Sequence, residues 1–249
     1  MKLDAILSYT NALLTPENYN DYAPNGLQVE GDGREIHTIA FAVSASLEAI
    51  TLAKENNADA LFVHHGWFWK REDPRLTGIR YERVKTLLSS GMALVAYHLP
   101  LDNHAEIGNN ALLGSALGFT PTGRFGEGDY GWHGTVSEIL SVEELSSRIA
   151  FALGRMPLIV GPEEREIRRV AWCTGAAQDY LEDAATLGVD AFISGEISER
   201  TTYIARETGV TYFSCGHDAT ERFGIQALAK KILEEFGINV LFIDVENPV

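Results

Sequence analysis

Cysteine is nearly absent: Cys173 and Cys215 are the only two among 249 residues. That is too few for a disulfide framework and ordinary for a reducing cytoplasm. No apolar run approaches the roughly 20 residues that a membrane span needs. The opening MKLDAILSYTNALL also lacks the long apolar region and small-residue cleavage site of a secretory leader. A soluble, cytoplasmic chain with no membrane partner is expected. Positive charge is scarce as well, with 20 Lys and Arg against 35 Asp and Glu, a net charge of −15, and no Lys/Arg-rich run. Non-specific nucleic-acid binding depends on cationic neutralisation of phosphates, so this balance argues against a nucleic-acid partner. G-x-x-x-x-G-K-[ST] does not occur, and Gly126-Glu127-Gly128-Asp129-Tyr130-Gly131 fits G-x-G-x-x-G in spacing alone, with no helical pattern directly after it, so no nucleotide fingerprint is read.

What is present is a 45% hydrophobic chain, long enough for one large α/β domain or two smaller ones. Short apolar runs alternate with helical patterns: a strand over 36–43, a helix from Leu47, a strand over 60–63, a helix around 81–88, a strand over 93–97. That alternation predicts βαβ units and a largely parallel sheet. The glycine-rich stretch 123–134 (GRFGEGDYGWHG) is the best candidate for a hinge or loop. Beyond it a capping box at Ser141 and Glu144 opens a second half, with strands near 170–173, 191–193 and 211–214. A helix over 219–236 and a final strand over 238–245 complete it. The run Ile39-Ala40-Phe41-Ala42 matches Val170-Ala171-Trp172-Cys173, and Asp59-Ala60-Leu61-Phe62 matches Asp190-Ala191-Phe192-Ile193, both displaced by 131 positions. A constant displacement across two strands points to an internal duplication. The expected division is a first repeat over 1–122, which part of the C-terminal segment can join in space, a glycine-rich hinge or loop over 123–134, and a second repeat over 135–249.

Functional groups of open α/β sheets gather beyond the carboxyl ends of the strands. His64-His65-Gly66 follows one predicted strand, His98 follows the next, and His217 follows a third after Cys215-Gly216. A tandem His pair suits two neighbouring ions, with a turn at Gly66 letting the rings diverge. His98 and Asp102 are four apart in a segment that Pro100 is expected to keep out of a helix. Asp102 offers a hard oxygen, while His98 is a ligand, a group orienting a ligand, or a proton shuttle. His217 and Glu221 lie four apart on one face of the last helix. Alone, each piece has an ordinary alternative: loop histidines bonded to backbone, a helix cap, a carboxylate favouring a helix amino end. Jointly, His64, His65, Asp102, His217 and Glu221 give a two-metal set suited to Zn, Mn, Fe or Ni more than to Ca or Mg. Two such ions would polarise a substrate oxygen and acidify a bound water.

Other residues rank lower. Cys215 and Cys173 read as core filling. His37, His104 and His133 have no partnered carboxylate at a useful spacing, although His104 is a candidate pocket border. Glu196 is either a cleft residue or a cap for the helix from Ser198. Trp67, Phe68 and Trp69 suit stacking on a heterocycle, shielding of metals, or simple packing. The Thr174-Gly175-Ala176 turn could approach a phosphate.

The segments Pro24-Asn25-Gly26-Leu27-Gln28-Val29, His64-His65-Gly66, His98-Leu99-Pro100-Leu101-Asp102 with Gly108-Asn109-Asn110, Ser194-Gly195-Glu196, and Gly216-His217 with Ala219-Thr220-Glu221 together resemble the GTP cyclohydrolase I type 2 homologue family. It is also called the NGG-interacting-factor-three-like family, and the resemblance covers essentially the whole chain. It implies two intertwined α/β repeats with mixed, mostly parallel sheets and a dinuclear metal site in the cleft between them, held by His64, His65, Asp102, His217 and Glu221. It also implies a toroidal homohexamer. Asp218 departs from the pattern, standing where relatives are expected to carry a histidine or an aromatic residue. The favoured activity is metal-dependent hydrolysis of a small or nucleotide-like substrate, with GTP ring opening as the specific case the family name implies. The alternative is a non-catalytic metal-binding regulatory or scaffold oligomer. A nucleic-acid factor is disfavoured by the acidic charge.

Overall fold

The computed structural model describes every residue from 1 to 249. In chain order the strands are β1 (Gly26–Val29), β2 (Thr38–Ser44), β3 (Ala60–His65), β4 (Ala93–Ala96), β5 (Phe119–Phe125), β6 (Gly131–Leu140), β7 (Leu158–Val160), β8 (Ile167–Cys173), β9 (Ala191–Ser194), β10 (Thr211–Ser214) and β11 (Asn239–Phe242). The α-helices are α1 (Leu3–Leu14), α2 (Leu47–Glu55), α3 (Gly78–Ser90), α4 (Leu99–Asn103), α5 (Asn109–Ala116), α6 (Val142–Leu153), α7 (Leu181–Thr186), α8 (Glu199–Thr208) and α9 (His217–Phe236). Their ends follow local chemistry. Ser46 Oγ accepts the Ala49 N–H to start α2. The Ser141/Glu144 capping box starts α6, and Gly154, in the left-handed region, ends it.

Two compact units form, one from residues 1–107 and 224–246, the other from 108–223 and 247–249. The first contains a five-stranded sheet ordered β1-β4-β3-β2-β11, parallel except for β1. Because successive strand residues face opposite ways, β2 sends Ile39, Phe41 and Val43 to one side and Ala40 and Ala42 to the other. The first set packs with Ile6 and Leu14 of α1 and Ile225, Leu228 and Ile232 of α9. The second set packs with Ala49, Ile50 and Ala53 of α2 and Leu87 of α3. Both faces are covered, so β2 is apolar throughout rather than alternating.

The second unit contains a six-stranded sheet ordered β5-β6-β8-β9-β10-β7, with β8, β9 and β10 parallel and the rest antiparallel. Val170 and Trp172 of β8 pack with Leu113 of α5 and with Leu145 and Ile149 of α6. Ala171, Phe192 and Tyr212 face Leu181 and Ala184 of α7 and Ala205 of α8.

The units repeat one design. The order β1-β4-β3-β2 recurs as β7-β10-β9-β8, with an antiparallel outer strand each time. In register, Ile39 lies opposite Ala60 and Val170 opposite Ala191, the same pairing displaced by 131 residues. The repeated order and register fit a duplication, and the architecture is the expected α/β one with two mixed sheets, the first mostly parallel as expected and the second with three antiparallel pairings out of five.

Three local features are set by the structure. The stretch 123–134 is no connection between units: β5 and β6 pair antiparallel across it, with Gly126 to Asp129 at the turn, inside the second unit. The units divide at residues 107 and 108, and 224–246 joins the first. The segment after His98 is helical, because Pro100 falls in the first turn of α4, where no intrahelical N–H is needed.

Candidate metal centre

In the first unit β3 is flanked by β2 and β4, so its carboxyl end opens between two neighbours. His64 and His65 are its last two residues, still within the strand. Gly66 has no positive φ, so the rings do not depend on a left-handed turn. Glycine is required there for space, since a Cβ would lie 2.3 Å from Gln28 Oε1 and 2.6 Å from Ala96 Cβ. His64 is fully buried, with Nδ1 3.0 Å from the Tyr97 carbonyl. Only a protonated Nδ1 can donate to that oxygen, so in the neutral ring the lone pair is on Nε2. That Nε2 lies 3.4 Å from Asp102 Oδ1, presented from α4 and 7% exposed. His65 Nδ1 sits 3.0 Å from Ser44 Oγ at the end of β2.

His98 leaves β4 as the residue before α4, and its N–H donates to Asn25 Oδ1 at 2.7 Å. Its Nδ1 lies 2.7 Å from Asp21 Oδ1. Asp21 also accepts from the Tyr22 and Leu99 N–H groups and from Asn25 Nδ2. Burial alone would raise the Asp21 carboxyl, but the hydrogen bond and charge of His98, with help from Asn25 and Leu99, hold it below the usual carboxylate range. One donor atom each from His64, His65 and His98 falls within 4.8 Å of the others, a group that could hold a metal ion. The Trp69 ring stands edge-on to His98 at 4.9 Å and lies 6.1 Å from His65, so of the three aromatic neighbours it is the one that walls the imidazoles. Trp67 donates to the Ala45 carbonyl, and Phe68 is half exposed with φ 63°.

In the second unit His217 and Glu221 stand one turn apart at the start of α9, with His217 Nε2 3.0 Å from Glu221 Oε2. Glu221 is 3% exposed. The other ring nitrogen, Nδ1, lies 2.7 Å from Glu196 Oε1, just beyond β9. Burial alone would push the His217 imidazole down, but Glu221 and then Glu196 outweigh it and raise its pKa to about 9. Gly175 makes this approach feasible: its φ is +68°, and a Cβ would fall 2.1 Å from Glu221 Oε1 and 3.1 Å from His217 Nε2. Its N–H donates to Thr220 Oγ1 and its carbonyl accepts from the Gly195 and Glu196 N–H groups, so the Thr174 turn is committed to protein partners rather than to a phosphate.

The weaker candidates resolve into ordinary roles. Burial pushes the Cys215 thiol far above its usual range, which leaves it a core side chain instead of a thiolate ligand. Asp218 accepts from Arg222 Nε at 2.7 Å. His104 accepts the Glu106 and Ile107 N–H groups and closes α4, while His133 sits against Thr122 in the β5–β6 hairpin. His37 is exposed and lies 3.9 Å from Glu35. Ser198 and Thr201 cap α8, so Glu196 is free of that duty and turns to His217. The residues that sequence reasoning did not reach are Asp21 and Ser44, with Asn25 noticed only as part of a motif. Their signal was too faint because acceptors for a ring nitrogen need no fixed spacing from the histidine.

All four imidazoles share one feature: Nδ1 is held by a protein group, namely Tyr97 O, Ser44 Oγ, Asp21 or Glu196. That is the arrangement of metal-ligating histidines, whose second nitrogen is fixed so that the first presents a lone pair. Nitrogen donors with carboxylate oxygens suit Zn, Mn, Fe or Ni.

Known proteins give the lineage. The family model Duf34/NIF3 (NGG1p interacting factor 3) matches residues 1–248. A protein of Allochromatium vinosum named GTP cyclohydrolase 1 type 2 homolog is 48% identical over 98% of this chain and 96% of its own. One of the same name from Vibrio cholerae is 48% identical over 100% and 99%. Among solved structures, protein ybgI, described as of unknown function, superposes with a TM-score of 0.95 at 44% identity over the whole of both chains. TTHA1606 from Thermus thermophilus gives 0.89 at 30% identity, again over both whole chains. The chain belongs to the Duf34/NIF3 (NGG1p interacting factor 3) family.

Proposed function

We propose that this protein is a metal-dependent hydrolase, in which His64, His65, Asp102, His217 and Glu221 hold two divalent ions. The observation that supports the reading is that Nδ1 of each of these imidazoles and of His98 lies against a protein group, the way histidines that ligate through Nε2 are held. A pair of bound ions would supply Lewis acidity and lower the pKa of a water toward neutrality. The chain's own residues do the rest. His64 and Asp102 bring a nitrogen and a hard oxygen to one place, and Glu221 adds a buried carboxylate. His98, held by Asp21, is positioned to carry a proton at Nε2, and Trp69 excludes water from one side of its ring.

The substrate class is a small or nucleotide-like molecule. The name GTP cyclohydrolase 1 type 2 homolog, printed for relatives at 48% identity, supports trying guanine nucleotides first. The resemblance also extends the proposal to a six-membered assembly, and the exposed apolar side chains Phe151, Met156 and Leu158 offer surface for such contacts.

The test is metal analysis of the wild-type protein beside His64→Ala and Glu221→Ala, followed by hydrolysis assays of the metal-loaded form. Both substitutions are expected to lower bound metal sharply, and the loaded protein to release product from a panel of nucleotides, cyclic amides and phosphoesters. Opening of guanine would be read from its ultraviolet change. Unchanged metal content in both variants would remove the ligand assignment. A fully loaded protein inert to the whole panel would remove the hydrolase.

A further inference from the structure

Two of the four imidazoles are held differently from the others. His64 and His65 rest on neutral groups, a backbone carbonyl and a hydroxyl. His98 and His217 rest on carboxylates, Asp21 and Glu196, each at 2.7 Å from Nδ1. Neither carboxylate belongs to the proposed ligand set, and hydrogen bonds hold the Asp21 side chain and the Glu196 backbone in place. Asp21 is 7% exposed and receives four hydrogen bonds: from the Tyr22 N–H and the His98 ring on one oxygen, and from Asn25 Nδ2 and the Leu99 N–H on the other. Each oxygen is thereby fixed, and so is the plane of the His98 ring. Asn25 closes the arrangement by accepting the His98 N–H with its own side-chain oxygen. Glu196 is set by backbone, since its N–H donates to the Gly175 carbonyl, the same carbonyl that receives Gly195.

We infer that Asp21 and Glu196 are positioning residues that lock His98 and His217 with the proton on Nδ1, so that Nε2 is the atom each presents to a metal ion or its bound substrate. The inference rests on the metal reading above. An acidic acceptor does more than a carbonyl: it fixes the tautomer, fixes the ring plane, and makes the far nitrogen a better electron donor. The residue types follow from this. An amide at either position can present a donor to Nδ1, which would favour the opposite tautomer and put a proton where a lone pair is needed, the same logic by which an Asp-to-Asn change disables a catalytic histidine.

The experiment uses the full chain and Zn2+ as probe, measured by competition with a coloured chelator, for wild type, Glu196→Gln, Glu196→Asp, Asp21→Asn and Asp21→Glu. The ring-nitrogen chemical shifts of 15N-labelled histidine are recorded for the metal-free proteins. Glu196→Gln is expected to weaken Zn2+ binding by about 10–100-fold, the usual cost of losing such a partner. Glu196→Asp should recover part of that loss. Asp21→Asn is expected to move the His98 signals from the Nδ1–H toward the Nε2–H form, with Asp21→Glu restoring them in part. A purely structural role would change thermal stability without moving the tautomer or the Zn2+ affinity. Wild-type affinity in Glu196→Gln together with unchanged His98 shifts in Asp21→Asn would overturn the inference while leaving the metal reading intact. A wild type that binds no Zn2+, Mn2+, Fe2+ or Ni2+ would instead remove the metal reading, while the His98 shifts would still report on Asp21. If Asp21→Asn does not fold, Glu196→Gln decides alone, because Glu196 is about a third exposed and its loss leaves the core untouched.

Discussion

At the scale of single residues, the side chain with the clearest physical signature is His217. It lies between Glu221 and Glu196, and the two carboxylates lift its pKa from 6.5 to about 9 despite burial. A group whose folded pKa exceeds its unfolded value binds its proton more tightly in the native state, so it stabilises fully below the unfolded value and loses that contribution as pH rises through the folded one. The urea midpoint of chelator-treated protein is therefore expected to fall between about pH 6.5 and 9, in addition to any background trend. His217→Asn should flatten that window. Cations must displace the same proton to reach Nε2, so metal affinity should rise across the same interval. His217 was legible in the sequence from its place after a strand and its spacing from Glu221. Its outer partner was not, because Glu196 arrives from β9, 21 residues earlier, and nothing in a one-dimensional pattern says which carboxylate will turn toward which ring. Asp21 was hidden for the same reason, 77 residues before His98.

At the scale of elements, strands were read well because both faces of the parallel strands are covered. Continuous apolar runs such as Ile39 to Val43 and Ala60 to Val63 are therefore unambiguous, and the β10 bounds match those expected. The error fell at α4, where proline was taken as a helix breaker. Its position decides: in the first turn its missing N–H costs nothing, and the helix sets Asp102 four residues after His98 on a turn whose N–H bonds back to the His98 carbonyl. Pro100→Ala is therefore expected to keep α4 and to cost only about 1–2 kcal/mol, from a freer unfolded chain and some lost packing. Urea denaturation measures the cost, and Zn2+ binding close to wild type would show that the His98–Asp102 spacing survives. Had the segment been an extended loop pinned by proline, the same change would loosen both side chains. The glycine-rich stretch, expected as a hinge or a loop, holds a hairpin turn, since glycines serve hairpins as readily as hinges: Gly126 and Gly128 supply positive φ at the β5–β6 turn.

For the whole molecule, the repeat was legible as a displacement of 131 residues and is repeated in strand order and register. The place of the boundary was not, since it depends on where about the last tenth of the chain packs. Helix α9 begins in the second unit and continues into the first, where Ile225, Leu228 and Ile232 fill the core against Ile39, Phe41 and Ile6. Strand β11 then pairs with β2. A fragment of residues 1–122, the first repeat by sequence, would lack both. Each of those three apolar side chains is worth about 1.5–3 kcal/mol when buried, comparable in sum to the stability of a typical domain. The fragment is expected to be unfolded by circular dichroism, and co-expression with a fragment of residues 123–249 to restore it. A cooperatively folded isolated 1–122 would show that α9 and β11 are dispensable to the first unit.

The tethering of His64, His65, His98 and His217 at Nδ1 has a kinetic corollary. Rings already parked in their working orientation need no search through rotamers when a cation arrives. Loading should then be governed by how fast the ion sheds its own hydration water, so that sluggishly exchanging Ni2+ enters more slowly than Zn2+ or Mn2+ whatever their final affinities.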